Sequence, residues 1–125
     1  MVTMTERAEP TVFTRIVARE IPADIVFEND TLIAVRDIKP QAPVHLLVVP
    51  KTEQYRTVSE LAAGDPALLA EVVATAKHLA NEHCGGDFRL VFNEGEAAGQ
   101  TVFHVHAHVL GADSGGELPE GSLGQ

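Results

Sequence analysis

The chain has no tryptophan, one tyrosine and a single cysteine among its 125 residues. One thiol excludes an internal disulfide and a cysteine-built metal cage, and it suits a reducing compartment. Basic residues are also scarce: 9 Lys and Arg against 18 Asp and Glu, a net charge of −9. They are scattered from Arg7 to Arg89 and form no stripe of the kind that binds nucleic acid polymers by releasing counterions. A small anionic ligand is not excluded, because donors in a pocket matter more to it than total charge. No apolar run is long enough to span a bilayer, so no membrane association is expected. Met1 to Pro10 lacks the apolar centre of a signal peptide, which makes a cytoplasmic location the expectation.

What remains is the material of one α+β domain. Residues 1–10 read as a flexible tail, 11–111 as the folded domain, and the glycine-rich 112–125 as a second tail. Val12, Ile16 and Val17 allow a short N-terminal helix before Pro22. Ile25–Glu28 and Leu32–Arg36, split by Asn29-Asp30, predict a hairpin. Two prolines stiffen Asp37–Pro43, and His45–Pro50 reads as a central strand. Between Pro66 and His83, Leu68, Leu69, Val72, Val73, Ala76, Leu79 and Ala80 keep helical spacing, with Asp65 as N-cap and Gly85-Gly86 as the stop. Phe88–Asn93 and Val102–Leu110 complete five strands, mainly antiparallel, with the helices on one face.

Three of the six histidines fall in Thr101-Val-Phe-His104-Val-His106-Ala-His108-Val-Leu110. Alternation places His104, His106 and His108 on one strand face, roughly 6–7 Å apart, with Phe103, Val105, Ala107 and Val109 facing a core. Polar strand residues satisfied by backbone and water would explain one such histidine better than three. A zinc site is a second reading, since three imidazoles can hold a catalytic zinc, although no acid or cysteine nearby completes it. Covalent catalysis is the third: neutral imidazole is a competent nucleophile near pH 7. The preceding Asn93-Glu-Gly95 and Gly99-Gln100-Thr101 supply an amide, a hydroxyl and a glycine-bearing backbone suited to phosphate oxygens.

At these residues the chain resembles the histidine triad (HIT) family, whose signature is His-φ-His-φ-His-φ-φ with φ apolar. Glu20–Ala23, Asp37–Pro43, His45–Lys51, Asn93–Gly95 and Gly99-Gln100 keep the family's order and spacing as well. The branch it looks most like is the histidine triad nucleotide-binding proteins, which are purine nucleoside phosphoramidases. That resemblance implies a HIT-like fold, a five-stranded sheet with one long and one short helix, and a homodimer joining two sheets through the long helix and the Phe88–Asn93 region.

It also implies hydrolysis of nucleoside 5′-phosphoramidates with no cofactor and no metal. His106 would be the nucleophile, His108 the contact to phosphate and leaving group, and His104 and His45 supporting histidines. Asn93, Gly99, Gln100 and Thr101 would meet the phosphate, ribose and leaving group. Asp37 would take the ribose hydroxyls, although on its own it reads as a loop Asx-turn. Phe13, Ile16, Ile21 and Ile38 would wall the base, whereas Val35, Leu47 and Val49 read as core. Hydrolysis of dinucleoside polyphosphates and nucleotidyl transfer share the first step. A nucleotide-binding regulatory module with incidental activity is the reading from another class.

Three departures stand out. Thr11 and Thr14 occupy the places of a Cys-x-x-Cys that joins a structural zinc in many relatives, so that zinc is expected to be absent. Glu53 stands where relatives commonly have histidine, and Gly111–Gln125 has no aromatic residue to shape leaving-group preference.

Overall fold

The structure is a computed structural model that describes residues 10–113 and Leu118. The expected tails, residues 1–9, 114–117 and 119–125, lie outside the described residues. In chain order the elements are α1 (Val12–Val17), β1 (Ile25–Glu28), β2 (Leu32–Arg36), β3 (Val44–Pro50), α2 (Val58–Gly64), α3 (Pro66–Cys84), β4 (Arg89–Val91), a 3-10 turn (Glu96–Ala98) and β5 (Ala107–Gly111). The five strands form one sheet in the order β1-β2-β3-β5-β4, with every pair antiparallel. No helix among the described residues is long and apolar enough to cross a membrane.

Local chemistry sets the helix ends. Asp65 accepts a hydrogen bond from the Leu68 N–H at 3.1 Å and Pro66 opens α3, where its missing N–H costs nothing. Gly85 closes the helix at φ 75°, a left-handed conformation that an L side chain would strain. Helix α2 is absent from the sequence reading, which expected only a long and a short helix. It is brief and buries only Leu61, too little for a periodic signal. Its start was nevertheless written as Thr57-x-x-Glu60: Thr57 Oγ1 accepts from the Glu60 N–H, and Glu60 Oε1 accepts from the Arg56 N–H.

Strand alternation splits the interior in two. Leu32, Ala34, Leu46, Val48, Ala107 and Val109 face α3 and α2, packing with Leu61, Val72, Ala76 and Leu79. Ile33, Val35, Leu47 and Val49 face the other way and are covered by Phe13 and Ile16 of α1. The helices therefore lie on both faces, not on one as expected. The cause is α1 itself, whose i, i+3 pair of Phe13 and Ile16 is its buried stripe. Arg19, at φ 64° just past α1, pairs with Glu28 on β1, which also accepts from Lys51, and so anchors the helix exit.

The histidine strand is shorter than the alternation predicts. It begins at Ala107, not Val102, so His104 and His106 lie in an irregular approach. The β3–β5 ladder reaches Val48↔Ala107, and beyond it Pro50 has no N–H to extend the pairing, while the Val105 N–H turns to the Tyr55 carbonyl. The side alternation survives, because Val105 joins the α3-side cluster. Phe103 differs from expectation: it is half-buried, with the Arg56 guanidinium 5.4 Å from its ring centroid.

Where β5 ends it passes directly against the end of α3. A Cβ on Gly111 would overlap the Cys84 sulfur and stand 2.7 Å from its Cβ. Gly111→Ala is expected to destabilise the fold by about 1–3 kcal/mol, the usual cost of overpacking. Chemical denaturation should show part of that loss recovered when Cys84→Ala is added.

Candidate active site

The α1-side face of the sheet carries the histidines. His45 on β3 shares the face of Leu47 and Val49, and His108 on β5 is paired with Leu47. His45 and His108 are thus diagonal cross-strand neighbours, and their rings meet: His45 Nε2 lies 2.9 Å from His108 Nδ1. The His106 ring stands 5.1 Å from that of His108, and Phe13 touches both His104 and His106, at 5.7 and 4.9 Å between centroids.

The direction of each hydrogen bond follows from partners that can act in only one sense. The Gln41 backbone N–H is a donor, and it lies 2.9 Å from His45 Nδ1, so His45 carries its proton on Nε2. That proton is donated to His108 Nδ1, which leaves neutral His108 with its proton on Nε2. In His106 the assignment is reversed. Its Nδ1 donates to the His104 carbonyl at 2.8 Å, and Nε2 keeps a lone pair. Adjacent rings therefore offer opposite functions: a nucleophilic nitrogen on His106 and an N–H donor on His108.

His104 is the most deeply placed of the set, 1% exposed. Its Nε2 donates to the Pro50 carbonyl at 2.7 Å, and its Nδ1 accepts from Thr11 Oγ1 at 2.8 Å. Thr14 Oγ1 donates to Glu53 at 2.6 Å. Thr11, Thr14, Glu53 and His104 thus meet at one place. Two protonated hydroxyls and an imidazole whose nitrogens are both engaged do not make a zinc donor set. A different group converges, Asp37, His45 and His108, with donor atoms within 4.8 Å of one another. Its 2.9 Å nitrogen–nitrogen contact holds a proton where a metal would need both lone pairs.

Burial lowers the pKa of all four histidines below the ordinary 6.5. For His45 the nearby Asp37 carboxylate partly opposes this, at 3.4 Å from Nε2. For His106 the bond to the His104 carbonyl opposes it. His108 is depressed furthest, to about 4, by desolvation and by its His106 and His45 neighbours. Lowered in this way the rings favour the neutral form at pH 7, as the hydrogen-bond chain requires.

The other sequence-predicted residues fall around this row. One oxygen of Asp37 accepts from the Lys39 N–H at 2.8 Å, the Asx-turn that the residue reads as on its own, while the other faces His45 at 3.4 Å. Phe13 and Ile16 are buried in the α1-side cluster and Ile21 is half-buried against it, whereas Ile38 is 89% exposed at the tip of the loop after β2. Val35, Leu47 and Val49 are core, as expected. Asn93 is half-buried two residues beyond β4, and Thr101 is exposed.

Gly99 adopts φ 97° at the end of the 3-10 turn, which only glycine takes without strain. Gln100 is 3% exposed and committed to the loop: its Nε2 donates to the Arg56 and Val102 carbonyls, and its Oε1 accepts from the Gly95 N–H. What Gln100 does here is hold the Gly95–Gly99 turn beside the histidines. Sequence reasoning missed the Gln41 N–H and the Thr11–His104 bond, since neither backbone donors nor contacts 93 residues apart leave a local pattern.

With a four-histidine cluster on the inner strands β3 and β5 and a glycine-hinged turn beside it, the chain matches the HIT domain over residues 18–115. The chain belongs to the HIT domain family. An uncharacterized HIT-like protein of Synechocystis is 48% identical over 108 residues, covering 83% of this chain and 91% of its own length. The purine nucleoside phosphoramidase of Escherichia coli is 39% identical over 106 residues, covering 83% and 88%. Among solved structures, a HIT family hydrolase from Clostridium thermocellum superposes with a TM-score of 0.78 at 39% identity, covering 87% of this chain and 96% of that one.

The neutral rings carry a stability signature. Below pH 6.5 the unfolded chain takes up protons on these histidines that the folded chain refuses, His108 until about pH 4. More protons bind the unfolded state in that window, so stability rises with pH across it and falls on acidification. Thermal melting between about pH 4 and 6.5 should show this slope, and His108→Asn should flatten it. An unchanged slope in that variant would show that His108 is not held neutral.

Proposed function

We propose that this HIT protein hydrolyses nucleoside 5′-phosphoramidates, adenylated amines in particular, to the nucleoside monophosphate. The observation that carries the reading is the opposed protonation of neighbouring rings: an Nε2 lone pair on His106 beside an Nε2–H on His108, 5.1 Å apart between centroids. The similarity to a purine nucleoside phosphoramidase supports the substrate class.

In this reading His106 Nε2 attacks the α-phosphorus. A P–N bond to the ring forms as the P–N bond to the amine breaks, and the bonding pair leaves on the amine nitrogen, which takes a proton from solvent; the water of the second step returns one proton to solvent. His108 Nε2–H donates to the phosphate and the departing group. Water then attacks phosphorus, the ring recovers its electron pair, and the monophosphate leaves. Dividing one displacement into two lets an imidazole, a better nucleophile than water, perform the first.

Asp37 offers an acceptor to the ribose hydroxyls, and the Gly95–Gly99 turn with Asn93 and Thr101 presents donors to the phosphate. Phe13, Ile16, Ile21 and Ile38 supply the apolar side for the base. The protein works as a homodimer in this reading: β4 is a sheet edge of three residues next to the end of α3, and edge pairing with a second copy would complete it. Sedimentation should then give twice the chain mass, and a monomer at working concentration would remove that part.

His106→Ala is expected to lower turnover of an adenosine phosphoramidate by about a thousandfold or more while adenosine monophosphate still binds. Acid-quenched mass spectrometry of the wild type with a slow substrate should find a nucleotide adduct on the peptide containing His106. Full turnover by the alanine variant would sink the nucleophile assignment. Tight nucleotide binding by a wild type that hydrolyses no phosphoramidate would favour a regulatory binding module instead.

A further inference from the structure

The His106 ring is oriented by a single hydrogen bond within its own chain segment. Its Nδ1–H is aimed by the His104 carbonyl, so the attitude of the His104 peptide sets the plane of the reacting ring. That peptide lies in the irregular approach to β5, with no ladder partner to hold it. What fixes it is the His104 side chain, buried and bonded at both ring nitrogens to distant segments: Pro50 at the end of β3 and Thr11 at the N-cap of α1.

The two bonds are not equivalent. The Pro50 carbonyl takes Nε2–H and can act only as acceptor, which leaves Nδ1 as a buried lone pair in need of a donor. Thr11 Oγ1 is that donor, and the same oxygen accepts the Thr14 N–H at 3.2 Å, capping the helix that carries Phe13. Phe13 in turn packs edge-on against His104 and tilted against His106.

We propose that Thr11 is a positioning residue for His106: its hydroxyl pins the His104 ring, and the pinned ring holds the carbonyl that orients the reacting imidazole. The inference deepens the phosphoramidase reading and rests on it for its kinetic consequence only. Thr14 Oγ1 lies 3.3 Å from Thr11 Oγ1, but its proton goes to Glu53 and the Thr11 proton goes to His104, so neither hydroxyl donates to the other and the Glu53 bond does not supply the donor to His104. Thr14 and Glu53 dock α1 without orienting the ring.

Thr11→Val keeps the shape and removes the donor. It should lower kcat for an adenosine phosphoramidate about tenfold with KM within twofold, and Thr11→Ser should restore kcat. Thr14→Val, which severs the Glu53 bond but leaves the Thr11 hydroxyl, should keep wild-type kcat. Nitrogen-15 spectra of the imidazoles give a readout independent of turnover: in Thr11→Val the His104 Nδ1 signal should move toward a free pyridine-type nitrogen, and the His106 Nδ1–H signal should shift with it. If Thr14→Val costs as much as Thr11→Val, general helix docking is responsible and the proposal falls. It falls equally if Thr11→Val is folded and both kcat and the histidine signals are those of wild type. A wild type inactive on phosphoramidates would overturn the proposed function alone, since the spectra still test the Thr11–His104–His106 chain. Should Thr11→Val not fold, Thr11→Ala and Thr11→Ser compared by the same spectra decide between the two outcomes.

Discussion

Burial of uncharged imidazoles is the constraint around which this domain is organised. A neutral ring has one donor and one acceptor, and in a low-dielectric setting each must find a partner of the opposite kind. His104 and His45 are almost fully enclosed, and their four nitrogens are all engaged. Because the Gln41 N–H can only donate and the Pro50 and His104 carbonyls can only accept, every proton position follows. The same burial that lowers the pKa values keeps the assignment stable at neutral pH, so a packing requirement doubles as an electronic one.

The sheet makes this possible by keeping its two faces distinct. The α3 side is a continuous apolar core without ionisable groups among its buried members. The α1 side mixes aliphatic residues with imidazoles, because α1 is a single short helix that covers only part of it. β3 and β5 are central strands and contribute one histidine each in diagonal register. The His106 ring, the proposed nucleophile, sits just past the last ladder pair, where the backbone is free of sheet geometry and the ring is aimed by its own hydrogen bond.

How much of this could be read in the sequence varied with the range of the interaction that decides it. The long helix, the hairpin and the sides of Val105, Ala107 and Val109 follow from periodicity, which is local. The end of the histidine strand does not, because it is set by Pro50, more than fifty residues away and across the sheet. Helix α2 carried a capping signal at Thr57 and Glu60 but too few apolar positions for its period to show. The placement of α1 on the second face depended on two side chains, Phe13 and Ile16, whose partners come from β2 and β3. The histidines, Asp37 and the glycine turn were legible as a set through their resemblance to a family; the hydrogen-bond directions among them were not, because the three deciding groups are backbone atoms.

Asp37 shows how the loop after β2 joins structure to the proposed chemistry. One carboxylate oxygen is committed to the Lys39 N–H, which fixes the turn that brings the Gln41 N–H onto His45. The other lies 3.4 Å from His45 Nε2, whose proton already points along the shorter 2.9 Å path to His108. That oxygen is therefore only weakly engaged, and it is the one with acceptor capacity to spare for a ribose hydroxyl. Nucleotide binding through it would leave the His45–His108 bond in place, whereas a ligand that drew the His45 proton toward Asp37 would strip His108 Nδ1 of its donor. These hydrogen-bond lengths thus favour a ligand that approaches Asp37 as a donor, as a diol does.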